Sequence, residues 1–131
     1  MRKGFTLLEL IVVIIIIGIL ATLGFTQYTK IVEKGRTAEA KMVLGQIRTA
    51  EEAYRLENPT YTTVIGDLGV SAPTGCVTTH YYSYSITSAG ASSFTGQAAR
   101  CTAGGKTPNA AATYNVTVTA AGVWGGTAGY Y

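Results

Sequence analysis

The sequence predicts an α+β fold: a long N-terminal α-helix, its first half transmembrane, packed on a small C-terminal antiparallel β-sheet. Three observations carry this expectation. The stretch from Leu10 to Phe25 is apolar and uncharged, a helix-period pattern continues beyond Lys30, and after Pro59 the pattern changes to short alternating segments. At 131 residues, removal of a membrane-length segment leaves one small head of roughly a hundred residues.

The N-terminus opens on Met1-Arg2-Lys3-Gly4, followed by Phe5-Thr6-Leu7-Leu8-Glu9 and the apolar run. As a helix, Phe5 to Phe25 extends about 32 Å, close to the ~30 Å hydrocarbon thickness of a bilayer. The β-branched run Ile11 to Ile17 would suit a buried strand in water, but in lipid an isolated segment satisfies its backbone only as a helix. A secretory signal peptide also begins with positive charge, yet it has a shorter core and a small-x-small cleavage site. Arg2 and Lys3 keep this end cytoplasmic and export the rest, by the positive-inside bias. Gly18 and Gly24 are either close-packing points or local weak spots. Glu9 is the one charge in the run, and a carboxylate at membrane depth is costly unless it is paired or interfacial.

Beyond Lys30 the residues Ile31, Ala38, Met42, Val43, Ile47, Ala50 and Tyr54 recur at helical spacing and predict an amphipathic stripe laid on the head. Arg48 with Glu52 and Glu51 with Arg55 stand at i,i+4 spacing, which supports a helix by a few tenths of a kcal/mol per pair. Asn58-Pro59 ends it, because proline disfavours helix in the residue before it. The expectation is one continuous helix from Phe5 to about Glu57. The predicted organisation is a leader at 1–4, a membrane or filament-core half at 5–29, and a head at 30–131. The head divides into the amphipathic half-helix 30–57, a connecting loop 58–79 and a sheet within 80–131.

In the loop, Val64, Ile65 and Leu68 are expected to dock on the helix. Strands are predicted at His80 to Thr87, Phe94 to Arg100, Ala112 to Thr119 and around Val123-Trp124, separated by Gly, Ser, Pro and Asn clusters. Tyr82, Tyr84 and Ile86 alternate on one face, as do Tyr114, Val116 and Val118, so one side of the sheet covers the helix. Ala120-Ala121-Gly122 fits a hairpin turn. Cys76 and Cys101 read as one disulfide in an oxidising compartment, the alternative being two buried free thiols.

Composition narrows the function. The net charge is +3, of which Arg2 and Lys3 supply two, so no polyanion-binding footprint is expected. Past Glu57 the only ionic residues are Asp67, Arg100 and Lys106. His80 is the lone histidine and has no acid near it in sequence, which argues against a triad or a metal site; no catalytic residue, metal or cofactor is expected. Gly104-Gly105-Lys106-Thr107 ends like a phosphate loop but lacks its leading glycine and its strand-to-helix context. Asn115-Val116-Thr117 matches a glycosylation sequon inside a predicted strand, and the nine tyrosines read as core and interface aromatics.

The residues GFTLLEL at 4–10, followed by the uncharged helix, resemble the type IV pilin family and the related type II secretion pseudopilins. The resemblance is strong over about the first thirty residues; further on only the architecture matches, with a loop, a four-stranded sheet and a late disulfide. It implies that a membrane-embedded prepilin peptidase cuts between Gly4 and Phe5 on the cytoplasmic side and methylates the new amine of Phe5. Mature subunits then stack their helices into a filament, with Glu9 pairing to an N-terminal amine, through an assembly machinery in the inner membrane. Implied partners are therefore copies of the chain itself, the peptidase, that machinery, and the membrane before assembly. The implied location is the inner membrane first and a cell-surface filament afterwards. The expected role is a major structural pilin, the alternatives being a minor pilin, a pseudopilin or, outside the family, a membrane-anchored binding module. A pseudopilin's acidic calcium site is hard to build when Asp67 is the only acid past Glu57. Many family members carry proline where this chain has Thr26, which leaves the helix free to continue.

Overall fold

The computed structural model describes residues 3–104, 106 and 113–131. Met1 and Arg2 of the expected leader, Gly105 and Thr107, and the Ala112 start of the expected third strand lie outside the described residues. Helix α1 runs Leu7–Glu57, a 3-10 turn occupies Ile65–Leu68, and strands β1 Tyr82–Ala89, β2 Phe94–Arg100, β3 Asn115–Thr119 and β4 Trp124–Gly126 follow. The four strands form an antiparallel meander in sequence order, laid against the second half of α1.

The helix begins at Leu7 rather than Phe5 because Thr6 takes an extended conformation and caps it, its side-chain oxygen accepting from the Glu9 amide at 3.2 Å. It ends where expected, with Asn58 extended and its amide donating to the Tyr54 carbonyl at 3.0 Å. No break occurs near Thr26, whose hydroxyl donates to the Leu23 carbonyl at 3.1 Å. At 51 residues the helix is about 75 Å long.

The apolar stripe read from the sequence divides into two faces. Ala40, Val43, Leu44 and Ile47 are buried against the sheet, whereas Ile31, Ala38 and Met42 lie exposed on the other side. Met42 and Val43 are adjacent and so stand about 100° apart around the helix, and a single stripe cannot hold both. The two expected i,i+4 ion pairs are not formed. Arg48 donates to the Ala120 carbonyl at 3.0 Å and Arg55 to that of Ala91 at 2.9 Å, each tying the helix to a hairpin turn. Glu51 and Glu52 instead accept from the Thr62 amide at 3.1 Å and the Tyr61 hydroxyl at 3.2 Å, which fastens the connecting loop.

Tyr82, Tyr84, Ile86, Phe94, Ala98, Val116 and Val118 fill the inner face of the sheet, in the expected alternation. β1 begins at Tyr82 rather than His80, because the Tyr81 amide is taken by the Glu39 carboxylate at 3.0 Å. Helix and sheet pack closely at Gly96, where a Cβ would come within 3.3 Å of Leu44. Of the three loop residues expected to dock, Ile65 is buried, Leu68 is half-buried and Val64 is exposed. The hairpin turn ends at Gly122 with φ 79°, its amide donating to the Thr119 carbonyl at 2.9 Å. Cys76 and Cys101 are joined with Cα atoms 5.6 Å apart, linking the strand-free segment before β1 to the residue after β2. Closing a loop of this size contributes about 3 kcal/mol in the chain-entropy picture.

Candidate functional site

The N-terminal candidates meet around the first helical turn. Gly4 and Phe5 lie outside regular secondary structure and are exposed, Phe5 at 89%. No described atom would meet a Cβ at Gly4, so packing within the chain does not call for glycine there. Glu9 is the third helical residue, and its carboxylate accepts from the Thr6 amide at 3.5 Å while Thr6 caps Glu9 in return. This reciprocal capping box satisfies two otherwise orphaned N–H groups. Phe5, Glu9, Leu10 and Val13 together line a shallow, mostly apolar depression.

Among the described residues nothing covers the helix from that point to Phe25. From Phe5 to Phe25 every large hydrophobic side chain is exposed, from 41% at Ile11 to 89% at Phe5. Mean hydropathy reaches 2.8, making this the one described helix long and apolar enough to cross a membrane. An apolar surface of this size in water is unstable to association, so the segment requires lipid or other helices around it. The face carrying Met42, Thr49 and Ala53, with half-buried Gly45 between them, continues this uncovered side along the head half of α1.

A buried polar anchor holds the sheet on the helix, and sequence reasoning missed it. Glu33 of α1 receives Arg100 of β2 through Nε at 3.0 Å and through a terminal nitrogen at 3.2 Å. Both side chains are fully buried. Arg36 adds a contact to Glu33 at 2.6 Å, and the Tyr114 hydroxyl donates to the Glu33 carboxylate at 2.5 Å while lying 2.8 Å from the Tyr82 hydroxyl. Arg100 also donates to the carbonyls of Cys101 at 2.6 Å and Lys106 at 2.9 Å. The Tyr81 ring lies under Arg36, Arg100 and Lys106 at 4.5, 5.0 and 5.6 Å. One signal was available in the sequence: Arg100 shares inward parity with Phe94, Gly96 and Ala98 on β2.

The electrostatics fit a structural role for this anchor. Burial pushes the Tyr82 hydroxyl up to about 12, and burial together with the Glu33 carboxylate pushes Tyr114 higher still, so both remain protonated donors at physiological pH. Burial pulls Arg100 down, but the bonds to Glu33 more than offset it and the net direction is up. Glu51 is raised, first by burial and then by nearby Glu52, against the lowering effect of the Thr62 amide. One of its carboxylate oxygens has no hydrogen-bond partner. A raised folded value means that its contribution to stability is present in full below the ordinary glutamate value and is lost as pH climbs through the raised one. The expected result for Glu51→Gln is a melting temperature that gains on the parent as pH rises from 4 to 8 and converges with it at the acid end. Parallel melting curves across that range would show that Glu51 has no such role.

His80 faces the Thr79 hydroxyl at 2.9 Å, and no group of three or more metal-ligating side chains occurs among the described residues. Asn115 of the sequon lies in β3, with its side-chain oxygen accepting from Thr127 at 3.3 Å.

Two family models match the chain. One, described as a prokaryotic N-terminal methylation motif, covers residues 1–25. The other, described as type IV minor pilin ComP, DNA uptake sequence receptor, covers residues 26–108. Among curated relatives, the prepilin peptidase-dependent protein D of Escherichia coli (strain K12) is 37% identical over 97 residues, 73% of this chain and 64% of that protein. The type IV major pilin protein PilA of Myxococcus xanthus (strain DK1622) is 31% identical over 88 residues, 67% of this chain and 38% of that protein. A type IV major fimbrial protein FimA of Dichelobacter nodosus is 40% identical over 57 residues, 44% of this chain and 36% of that protein. The matched stretches thus cover between about a third and two thirds of these relatives' own lengths.

Proposed function

The chain belongs to the type IV pilin family, and from that premise we propose that it is a major structural subunit of a pilus filament. The observation that carries this reading is the apolar half of α1, exposed along its whole length, with one carboxylate placed a single turn after Phe5. In the proposed sequence of events the precursor sits in the cytoplasmic membrane with its leader inside, and a prepilin peptidase cuts between Gly4 and Phe5 and methylates the new amine. Cleavage turns the Phe5 nitrogen into a cation. The Glu9 carboxylate of a neighbouring subunit is then its natural counterpart in a low-dielectric filament, where either charge alone is costly. The exposed face carrying Met42, Thr49 and Ala53 would extend the same contact into the head half of the helix.

A minor, DNA-contacting pilin is the second reading, favoured by the match over residues 26–108. Against it, Arg36, Arg100 and Lys106 are engaged by carboxylate, carbonyl or ring partners, which leaves few free cations for a phosphate track. Electron microscopy of surface filaments with mass spectrometry of their subunits separates the readings. A bulk subunit beginning at methylated Phe5 is the expected result. A scarce subunit with the same terminus would mean a minor pilin, and a mature chain retaining Met1 would refute processing altogether.

A further inference from the structure

Charge in the head is segregated along the helix axis. Toward the apolar half lie Lys30, Lys34, Arg36, Lys41, Arg100 and Lys106, against only Glu33 and Glu39. Contacts fix this grouping: Arg100 bonds Glu33, the Tyr81 amide bonds Glu39, and the Lys106 ammonium takes the carbonyls of Val77 and His80. At the far end Glu51, Glu52, Glu57 and Asp67 outnumber Arg48 and Arg55, with Asp67 tied through Thr62 to the Glu51 end of the helix. The head is therefore an electric dipole with its positive end toward the apolar segment.

We propose that this positive base, through Lys30 and Lys34, binds anionic phospholipid headgroups of the membrane in which the precursor's helix sits. The proposal rests on the reading that the apolar half of α1 spans that membrane. Lys30 and Lys34 are exposed, one helical turn apart on the same face, and without an ion-pair partner among the described residues. They stand about 7 and 13 Å past Phe25 along the helix, and a lysine stem reaches back several ångströms, so both ammonium groups arrive at headgroup depth. Phe25 and Tyr28, 69% and 66% exposed, lie just below them, where aromatic rings favour the interface. Glu33, the nearest acid, is buried and committed to Arg36 and Arg100, so it does not neutralise the lysines. Juxtamembrane cations of this kind are each attracted to an anionic leaflet.

The test places the full-length chain in phosphatidylcholine vesicles carrying a minority of phosphatidylglycerol and measures its association with spin-labelled versions of each lipid. Protease protection checks insertion independently, and a chain that fails to insert would refute the membrane-spanning reading itself. With the helix inserted, the two lysines together are expected to contribute a preference for phosphatidylglycerol of up to about thirtyfold. The preference should fall by about that factor in the double variant Lys30→Gln, Lys34→Gln, down to what Arg2 and Lys3 contribute at the other face, should weaken in high salt, and should survive in Lys30→Arg, Lys34→Arg. Equal association of both lipids with the parent, or a preference unchanged by the glutamine pair, would overturn the proposal. So would a preference that followed protein density rather than lipid composition, which would assign the lysines to a second copy of the chain.

Discussion

Arg100→Ala is expected to destabilise the head by about 3–5 kcal/mol, a large part of the 5–15 kcal/mol that holds a typical domain. The reason is the fate of Glu33. Its carboxylate is fully buried and loses the two guanidinium contacts at 3.0 and 3.2 Å, while its contacts to Arg36 and the Tyr114 hydroxyl remain. The carbonyls of Cys101 and Lys106 lose their donor as well, next to the disulfide. Arg100→Lys should fall between variant and parent, because one ammonium cannot reproduce the two-pronged contact. Replacing both partners together, Glu33→Met with Arg100→Met, should recover part of the loss, since a buried pair exchanged for apolar groups of similar size leaves no unpaired charge. Denaturant titration of the full-length protein in detergent, followed by near-ultraviolet circular dichroism of the head tyrosines, provides the measurement. A shift below about 1 kcal/mol for Arg100→Ala would reduce the anchor to an ordinary surface ion pair.

Glu9→Ala is expected to abolish filaments while leaving the subunit folded, inserted and cleaved. Within the chain the Glu9 carboxylate contributes only one half of an exposed capping box, a long contact of 3.5 Å to the Thr6 amide. Losing that costs at most about 1 kcal/mol at the fraying end of the helix, far from the head core. A total loss of assembly therefore measures a contact made between subunits. Glu9→Gln separates the two roles, because glutamine keeps the capping geometry and removes the charge. Filament yield by electron microscopy, with processed subunit quantified from membranes, is the readout. If Glu9→Gln assembled as well as the parent, charge pairing with the Phe5 amine would be lost as the assembly principle.

Features that depend on near neighbours were legible in the chain. The apolar length from Leu10 to Phe25, the helix stop at Asn58-Pro59 and the alternation of Tyr82, Tyr84 and Ile86 each follow from local chemistry, and each stands where expected. The motif at 4–10 likewise pointed to the family from sequence alone. Errors arose where two segments compete for one residue. Arg48 and Arg55 looked like partners for acids one turn away, but the carbonyls of hairpin turns were better placed acceptors. Ile31 and Met42 looked like core at helical spacing, but the sheet lies on the adjacent face carrying Val43 and Ile47 and leaves theirs exposed.

By itself, then, the sequence determined the α+β class, the length and apolarity of the N-terminal helix, its end, and the strand alternation, since these are set by backbone preferences and periodicity within a few residues. Only the tertiary structure decided which helix face is covered, the joining of Glu33 to Arg100 across 67 positions, and the seating of Arg48 on a turn 72 positions away. Such contacts exist only once the sheet has folded back on the helix, and the burial that makes a charge pair matter is a property of that packing.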